Sequence, residues 1–218
     1  SLIVTGVQTC ALPICSPVLS AGLCGVVALG SVWRGGPELE VTRHDLRVQK
    51  QVAGFRVVQL SDLHLRRFDA AEKAIVAQVQ EVQPDLVVLT GDAVDRADGL
   101  PLLRTFLVAL GEMPVVAVPG NWEHWSGVDL QALGALLEGR PNGRLLLNQQ
   151  VVIADKGRTV QVVGLDDFTA GQPDAKLLSS IKSNDVAILV QHSPGFFDEP
   201  EVSHRMGVQL WTRLEPAS

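Results

Sequence analysis

The sequence predicts a layered α/β or α+β fold, because strand and helix patterns first alternate along the chain and a block of strands then follows. Three short apolar runs, at residues 57–60, 86–89 and 115–118, have the length and β-branched content of buried strands. Segments with helical periodicity separate these runs, as in layered α/β proteins. Further strand patterns between residues 145 and 163 and at 186–190 predict a second group of strands. We therefore expect a sandwich of strands flanked by helices.

Capping and helix-breaking residues define the ends of the expected helices. Residues 69–72 form a capping-box pattern that opens the first helix, and Pro84 ends it. Pro101 lies in the first turn of the second helix and Gly111 lies just past its end, which is the usual asymmetry of these two residue types. A third helix is expected at about residues 128–138.

The composition favours one packed domain and argues against an extended nucleic-acid surface. Of the 218 residues, 46% are hydrophobic and 19% are charged, and the net charge is −6 at pH 7. The three cysteines, Cys10, Cys15 and Cys24, all lie near the N-terminus. A disulfide framework or a cysteine zinc site is therefore not expected in the main domain. The chain does not begin with Met, which suggests a fragment or a processed protein.

The first 15 residues differ in character from the rest of the chain. Residues 1–15 include a stretch similar to a translated sequencing-library adapter, and an ordinary N-terminal peptide is the alternative interpretation. No element of the fold is therefore predicted from this segment. The source nucleotide sequence decides between the two interpretations.

An apolar segment follows at residues 16–34. It is rich in Val, Leu, Ala and Gly, and it ends in Trp33 and Arg34, which suit a membrane interface. The apolar run is slightly shorter than the roughly 20 residues of a spanning helix. We interpret the segment as the remnant of a membrane anchor, with a signal-peptide core or a buried helix as alternatives. Residues 35–53 are expected to form a linker and an edge strand that lead into the main domain at residues 54–210.

Polar side chains with ligand atoms follow four of the predicted strands. They are Asp62, His64, Asp92, Asn121 and His192. Open α/β sheets bind their ligands outside the carboxyl ends of the strands, so these side chains are expected to lie close together. Oxygen and imidazole ligands in one site suit a hard or borderline divalent metal ion.

In these motifs the chain resembles the calcineurin-like metallophosphoesterases. The D-x-H, G-D-x-x-D and G-N motifs of that family are met at residues 62–64, 91–95 and 120–121, and His192 matches the lone histidine after a later strand. The resemblance runs from about residue 54 to residue 210. It implies a four-layer α/β/β/α fold that binds two divalent metal ions (Mn, Fe, Zn or Mg) about 3.5–4 Å apart.

The resemblance also implies a role for each ligand. Asp92 would bridge both ions. Asp62 and His64 would complete the site of the first ion. Asn121 and His192 would serve the second. The ions would lower the pKa of a shared water, and the resulting hydroxide would attack the phosphorus of a phosphate mono- or diester.

Two neighbouring motifs hold residues with a further role. The family usually has His directly after Gly-Asn, where it assists the leaving group or the transition state, and here Trp122 takes that position. The nearest imidazole is His124, which either takes over this catalytic role or is structural. Asp95, at the end of the G-D-x-x-D motif, would hold the loop or a metal ligand in place.

The end of the chain departs further from the family pattern. After residues 207–210 the family continues into G-H-x-H, which gives one ligand to each metal, whereas residues 211–218 read W-T-R-L-E-P-A-S. We expect a truncation or frameshift near Leu210, so that the domain is incomplete at its C-terminus and residues 211–218 form a non-family tail. This polypeptide would then bind metal weakly and turn over slowly.

The function implied by the resemblance is that of a binuclear metal-dependent phosphohydrolase. The order of the motifs behind an apolar segment is most similar to a membrane-associated bacterial branch, which includes phosphodiesterases of nucleotide-sugar lipids such as UDP-diacylglucosamine. This implies a phosphate-ester substrate, lipid-linked in that branch, and association with the bacterial inner membrane; a cytoplasmic location is the alternative. The alternative function is a catalytically dead, membrane-tethered interaction domain that retains the fold.

Overall fold

The computed structural model describes residues 2–9, 39–46, 54–181, 186–198 and 209–210. The expected anchor segment at residues 16–34 and the expected tail at residues 211–218 lie outside this part of the chain. Among the helices that the structure describes, none combines the length and the apolar character needed to cross a membrane.

The first sheet contains the strands predicted to alternate with helices. Its described strands are β1 (Leu2–Thr9), β2 (Leu39–Leu46), β3 (Arg56–Leu60), β4 (Leu86–Thr90), β5 (Val115–Val118) and β6 (Gly143–Leu145). They lie in the order β2-β1-β3-β4-β5-β6, with β2 antiparallel to β1 and the other neighbours parallel. Strand β2 lies at the edge, as its alternating pattern predicts.

Strand β1 lies within residues 1–15, the segment from which no element was predicted. It lies between β2 and β3, with Val4 opposite His44 on one side and Val57 on the other. Five of its eight residues are β-branched, a composition that suits a pleated strand. The adapter-like origin of the segment stays a prediction, because strand formation depends on residue type and not on where the sequence came from.

The second sheet contains the later strands. They are β7 (Gln149–Asp155), β8 (Arg158–Gly164), β9 (Ala187–Val190) and β10 (Gln209–Leu210), in the order β10-β9-β8-β7. Strands β7 and β8 form an antiparallel hairpin, whereas β9 runs parallel to β8 and β10. The hairpin turns at Lys156 and Gly157, whose φ values of 49° and 76° suit the twist of a two-residue turn.

Four α-helices connect and cover the strands in the described part of the chain. They are α1 (Ala70–Val82), α2 (Leu100–Ala109), α3 (Asn121–Trp125) and α4 (Leu130–Glu138). The predicted capping box of α1 is confirmed: Asp69 Oδ1 accepts from the N–H of Ala71 at 3.2 Å, and Glu72 Oε2 accepts from the N–H of Asp69 at 2.9 Å. The five-residue α3 is not among the predicted helices, because it is too short to show a helical period.

Strands with both faces buried separate the layers of the molecule. Val58 and Leu60 of β3 pack toward the helices, in a core that includes Phe106 of α2. Their neighbour Val57 packs on the other face, in a second core that includes Val162 of β8. A third core lies on the outer face of the second sheet, against the 3₁₀ helices Ala175–Ser180 and Pro194–Asp198. The molecule is thus a four-layer α/β/β/α-type sandwich whose last described helical layer is 3₁₀.

Candidate metal centre

The predicted site residues lie just beyond the ends of four strands. Asp62 and Asp92 follow β3 and β4, Asn121 begins α3 shortly after β5, and His192 follows β9 of the second sheet. Strands β3, β4 and β5 are parallel neighbours, so their carboxyl ends meet at one edge of the sheet. The packing of the second sheet on the first brings β9, and with it His192, to the same place.

Three of these residues form a group that can hold a metal ion. Asp62, Asp92 and His192 each offer one ligand atom, and the three atoms lie within 4.8 Å of one another. Asp92 and His192 are buried, whereas Asp62 is partly exposed. Two carboxylates and one imidazole at this separation match the ligand types of Zn²⁺ and similar divalent ions.

The other two predicted ligands border this group. His64 Nε2 lies 3.8 Å from Asp92 Oδ2, on the side of the first sheet. Asn121 Oδ1 lies 2.9 Å from His192 Nε2, and the same imidazole nitrogen lies 3.5 Å from Asp92 Oδ2. The structure therefore brings all five predicted ligands together around Asp92, and their binding of metal stays a prediction.

The loops that present these ligands have unusual backbone conformations. Asp62, His64 and Asp92 have φ values of 53°, 42° and 53°, in the left-handed region that residues other than glycine rarely adopt. Hydrogen bonds join the two loops, from His64 N to Asp92 O at 2.9 Å and from Leu65 N to Ala93 O at 3.0 Å. Strained residues that persist at a site are held there by their surroundings, and such residues concentrate at functional sites.

The glycines of the G-D and G-N motifs are explained by close packing at the centre. A Cβ atom at Gly91 would lie 2.7 Å from both Gly120 Cα and His192 Nδ1. A Cβ atom at Gly120 would lie 2.2 Å from Asp92 Oδ1. Both distances are far below van der Waals contact, so the ligand loops can approach this closely only with glycine at these two positions.

Glu123 is a site residue that the sequence analysis does not identify. Its side chain is buried, and its Oε1 accepts from the N–H groups of Ala93 and Val94 at 2.7 and 3.2 Å. Its Oε2 accepts from the N–H groups of Asp92 and Gly120 at 2.9 and 2.8 Å. One carboxylate thus joins the loop after β4 to the loop after β5. The signal in the sequence is an acid at the third helical position after Gly120, the capping-box spacing.

The hydrogen bonds of His192 orient it as a ligand. Its Nδ1 lies 2.8 Å from the backbone oxygen of Thr90, and a carbonyl can only accept, so Nδ1 carries the proton. Its other ring nitrogen, Nε2, then faces Asp92 Oδ2 and Asn121 Oδ1. Metal-binding histidines commonly have this arrangement, in which one ring nitrogen donates to a carbonyl and the other faces the ligand site.

The environment of Asp92 also fits a bound cation. Burial raises the pKa of Asp92 to about 6, and the negative charges of Glu123 and Asp62 add to the rise. His192 and the backbone N–H of Trp122 lower the pKa of Asp92. This N–H donates to Asp92 Oδ1 at 2.9 Å. An ionised Asp92 is therefore costly in this position without a compensating positive charge, which a divalent ion would provide.

Asp95 lies behind His64, and its role in positioning this proposed ligand stays a prediction. Its Oδ1 lies 2.5 Å from His64 Nδ1, and its Oδ2 accepts from Arg66 Nε. Burial alone would raise the pKa of Asp95, but the hydrogen bonds from Arg66 and His64 outweigh it and lower that pKa. An ionised Asp95 keeps the proton of His64 on Nδ1 and leaves Nε2 directed at Asp92.

His124 lies one helical turn after Asn121 and pairs with a residue that is distant in sequence. Its Nε2 lies 2.7 Å from Asp166 Oδ1. Asp166 in turn accepts from the backbone N–H groups of Asp167 and Gln172, which fixes its carboxylate within the loop after β8. The structure thus gives His124 an oriented carboxylate partner, and its catalytic role stays a prediction.

Comparison with known proteins agrees with this geometry. Residues 55–214, most of the described domain, match the calcineurin-like phosphoesterase family. The chain belongs to this family. Its members are phosphoester hydrolases that typically use divalent metal ions. The family match of this calcineurin-like phosphoesterase ends at residue 214. The resemblance described from the motifs ends at about residue 210.

Several curated proteins are similar to this calcineurin-like phosphoesterase. It is 28% identical over 196 residues to the uncharacterized metallophosphoesterase YkuE of Bacillus subtilis, covering 79% of this chain and 67% of YkuE. It is 30% identical over 168 residues to the UDP-2,3-diacylglucosamine pyrophosphatase LpxG of Chlamydia muridarum, covering 71% of this chain and 50% of LpxG. For LpxG of Chlamydia trachomatis the identity is 27% over 236 residues, covering 81% of this chain and 71% of LpxG. The chain thus spans about half to seven tenths of the length of these relatives.

Proposed function

We propose that this phosphoesterase binds two divalent metal ions and hydrolyses a phosphate ester at the edge where β3, β4, β5 and β9 end. The observation that carries the proposal is the convergence of Asp62, Asp92 and His192, whose ligand atoms lie within 4.8 Å of one another. His64 and Asn121 each add one donor beside this group. When bound, divalent ions acidify water and offset the charge of the phosphoryl oxygens.

Asp92 takes the central position in this proposal. Its Oδ2 faces His64 Nε2 at 3.8 Å and His192 Nε2 at 3.5 Å, so one carboxylate oxygen contacts both halves of the site. Asp62 and His64 hold one ion, and Asn121 and His192 hold the other. Asp92 and His192 are buried, so solvent screens a cation beside them less than at the protein surface, and electrostatic interactions there are stronger.

His124 is proposed to donate a proton to the leaving oxygen of the ester. Its carboxylate partner Asp166 stabilises the protonated imidazole, as an acid beside a general-acid histidine does. The short helix α3 carries both His124 and Asn121, so it fixes the position of the proposed proton donor relative to the proposed metal ligand. A His124→Gln variant is expected to lose about 10²–10⁴-fold in kcat with its metal content unchanged. An unchanged kcat would assign His124 the structural role.

The relatives and the N-terminal segment support a proposal for the substrate class and the location. LpxG acts on UDP-2,3-diacylglucosamine by its name, which supports a lipid-linked nucleotide-sugar as the substrate class here. Residues 16–34 are proposed to hold the enzyme at the bacterial inner membrane, with a cytoplasmic location as the alternative. Hydrolysis of UDP-2,3-diacylglucosamine in detergent, compared with bis-p-nitrophenyl phosphate, tests the substrate. Fractionation of cells that express the whole chain tests the location.

A non-catalytic interaction domain is the second candidate function. Trp122 favours it, because it stands where the family usually has His. An indole N–H donates hydrogen bonds but does not act as an acid and a base as an imidazole does. The arrangement of Asp62, Asp92 and His192 favours the enzyme. The ligand loops retain a strained backbone, and such strain is concentrated at functional sites.

Metal content and hydrolysis measured on one preparation separate these two functions. We expect the Mn²⁺-loaded chain to hydrolyse bis-p-nitrophenyl phosphate, and the Asp92→Asn variant to lose both hydrolysis and bound metal. The exposed Glu138→Gln variant is the control for loss of one negative charge. Metal binding without hydrolysis of any phosphate mono- or diester would favour the interaction domain.

A further inference from the structure

A cavity opens beside the metal centre. We call it the side pocket, and its volume is about 550 Å³, within the roughly 300–1,000 Å³ of small-molecule sites. Residues from the loop after β3, the loop after β4 and the start of α2 line it, together with Trp122 of α3. The side pocket is thus built from the loops that carry the proposed metal ligands His64 and Asp92.

Two lining residues connect the side pocket directly with the proposed ligands. Asp95 lines the pocket and contacts His64 Nδ1 at 2.5 Å. Trp122 also lines it, and its ring packs edge-on against the His64 ring with 6.0 Å between centroids. A group attached to a phosphate at the metal centre therefore has a short path into the side pocket.

The charges that line the side pocket balance one another. Arg66 pairs with Asp95 through its Nε, and Arg96 Nη2 lies 3.3 Å from Asp98 Oδ2. These two cations and two carboxylates are the charged residues of the lining. Because each guanidinium already faces a carboxylate, the pocket offers little net attraction to a second phosphate or another anion. Its charge balance favours an uncharged occupant.

The remaining walls are apolar, and one of them is an aromatic ring. Leu65 and Leu102 line the pocket, and Trp122 is 42% exposed. Contacts with His64 and with Trp125, at 6.0 and 6.3 Å between ring centroids, hold the exposed indole in place. A ring that is fixed before binding loses little side-chain freedom when a ligand packs on it.

We propose that the side pocket binds an uncharged ring of the organic group that is esterified to the phosphate, packed against Trp122. The proposal rests on the proposed function, since the metal centre must hold the phosphate. It adds a determinant of specificity: the enzyme selects esters that carry an uncharged ring close to the phosphate.

Binding of two phosphonates tests the proposal without any turnover. Phenylphosphonate and methylphosphonate share the group that binds metal and differ in the ring. Titration calorimetry with the Mn²⁺-loaded whole chain is expected to show about tenfold tighter binding of phenylphosphonate, the gain from burying most of one ring. Without Mn²⁺ neither phosphonate is expected to bind.

Filling the side pocket is expected to abolish this preference. The Leu102→Trp variant adds bulk inside the pocket, on a residue that is distant from the proposed ligands in sequence and on helix α2. Val108→Trp is the matched control, because Val108 lies on the same helix, is 74% exposed and is not part of the lining. The variant is expected to bind phenylphosphonate no better than methylphosphonate, whereas the control retains the tenfold difference. Trp122→Ala, with its Mn²⁺ content measured, is expected to reduce the preference in the same way and serves if Leu102→Trp does not fold.

The outcomes distinguish this proposal from the proposed function. Equal, Mn²⁺-dependent binding of both phosphonates to the wild-type chain would overturn the proposed role of the side pocket. It would leave the proposed metal centre unaffected. A preference that survives in both Leu102→Trp and Trp122→Ala would place the ring elsewhere and also overturn it. Binding of neither phosphonate to a chain that holds Mn²⁺ would contradict the proposed function itself.

Discussion

The buried carboxylate of Glu123 holds two ligand loops in place through backbone N–H groups. Glu123 is 1% exposed, and each of its oxygens accepts two main-chain N–H groups. Amide N–H groups that converge on a carboxylate satisfy its oxygens and offset the cost of burying it. Because these amides belong to the loops of Asp92 and Gly120, Glu123 fixes where Asp92 lies relative to Asn121.

Replacing Glu123 by Gln is therefore expected to loosen the metal centre. The amide of Gln has one accepting oxygen and directs its NH₂ group at N–H donors, which leaves main-chain groups unsatisfied. We expect a loss of about 1–3 kcal/mol in the free energy of unfolding and weaker Mn²⁺ binding. Chemical denaturation and metal titration measure the two effects. Glu138→Gln, at an exposed position of α4, is the control and should change neither; equal Mn²⁺ affinity in both variants would contradict the role of Glu123.

Residue-scale features were predictable from the sequence only where the residue type itself carries the chemistry. Asp62 and Asp92 follow apolar strands, and this pattern alone predicts that they lie at one edge of the first sheet. His192 also follows an apolar strand, but that strand belongs to the second sheet. For Glu123 the capping-box spacing indicates only the contact with Gly120. Its other partners are backbone amides of the loop after β4, which no residue type in the sequence indicates. The pairing of His124 with Asp166 joins positions 42 residues apart, and no local pattern indicates it.

At the scale of elements, the turns after β4 and β5 determine how closely the ligand loops approach. Gly91 has a φ of 89°, and a side chain there would meet both Gly120 and His192. Gly111, which ends the turn after α2, has a similar φ of 78° but open space around its Cβ position. The two glycines therefore separate the cost of a left-handed backbone from the cost of a steric clash.

Alanine substitutions at these two positions are expected to differ sharply. Gly111→Ala should cost about 1–2 kcal/mol, the conformational penalty alone. Gly91→Ala should cost roughly 1–3 kcal/mol more, because the methyl group has no room, and it should also weaken Mn²⁺ binding by displacing His192. Denaturant unfolding and metal titration of both variants test this expectation. Equal losses of stability would mean that the loops can move apart without cost.

The capping box of α1 makes a prediction about pH. The hydrogen bond from the N–H of Ala71, together with Glu72, lowers the pKa of Asp69. A carboxyl whose pKa is lower in the folded state stabilises the fold above its unfolded pKa, and this contribution is lost as the pH falls through the folded pKa. Asp69→Ala should therefore lower Tm by a few degrees at pH 7, and by less in acid.

Thermal melts from neutral to acidic pH measure this effect, with Glu81→Ala as the control. Glu81 lies in the same helix and carries the same charge, but at an exposed position away from the cap. Its replacement should shift Tm little at any pH. A Tm difference between wild type and Asp69→Ala that stays constant into acid would show that the charge of Asp69 does not stabilise the helix end.

Elements with strong patterns were predictable, and those without a pattern were not. The buried strands β3, β4 and β5 and the helices α1 and α2 follow from apolar runs, capping residues and Pro or Gly at helix ends. Helix α3 spans five residues, fewer than two turns, so it shows no period. Residues Ala175–Ser180 form a 3₁₀ helix, and a stretch of six residues is too short for its sequence to distinguish a 3₁₀ helix from an α-helix.

At the scale of the whole molecule, the packing of two sheets completes the site. The first sheet presents Asp62, Asp92 and Asn121, and the second presents His192 from β9. The core between the sheets, with Val88 of β4 against residues of β8 and β9, therefore also fixes the distance from Asp92 to His192. The four-layer arrangement was implied by the resemblance to the calcineurin-like family. The sequence alone indicates two groups of strands without showing how they stack.

The central claim is that two cations share the site around Asp92. Anomalous diffraction from crystals of the whole chain grown with Mn²⁺ tests it most directly. We expect two anomalous peaks about 3.5–4 Å apart, with Asp92 between them, Asp62 and His64 beside one, and Asn121 and His192 beside the other. Peaks bound elsewhere on the chain, or none at this edge of the sheet at saturating Mn²⁺, would contradict the account.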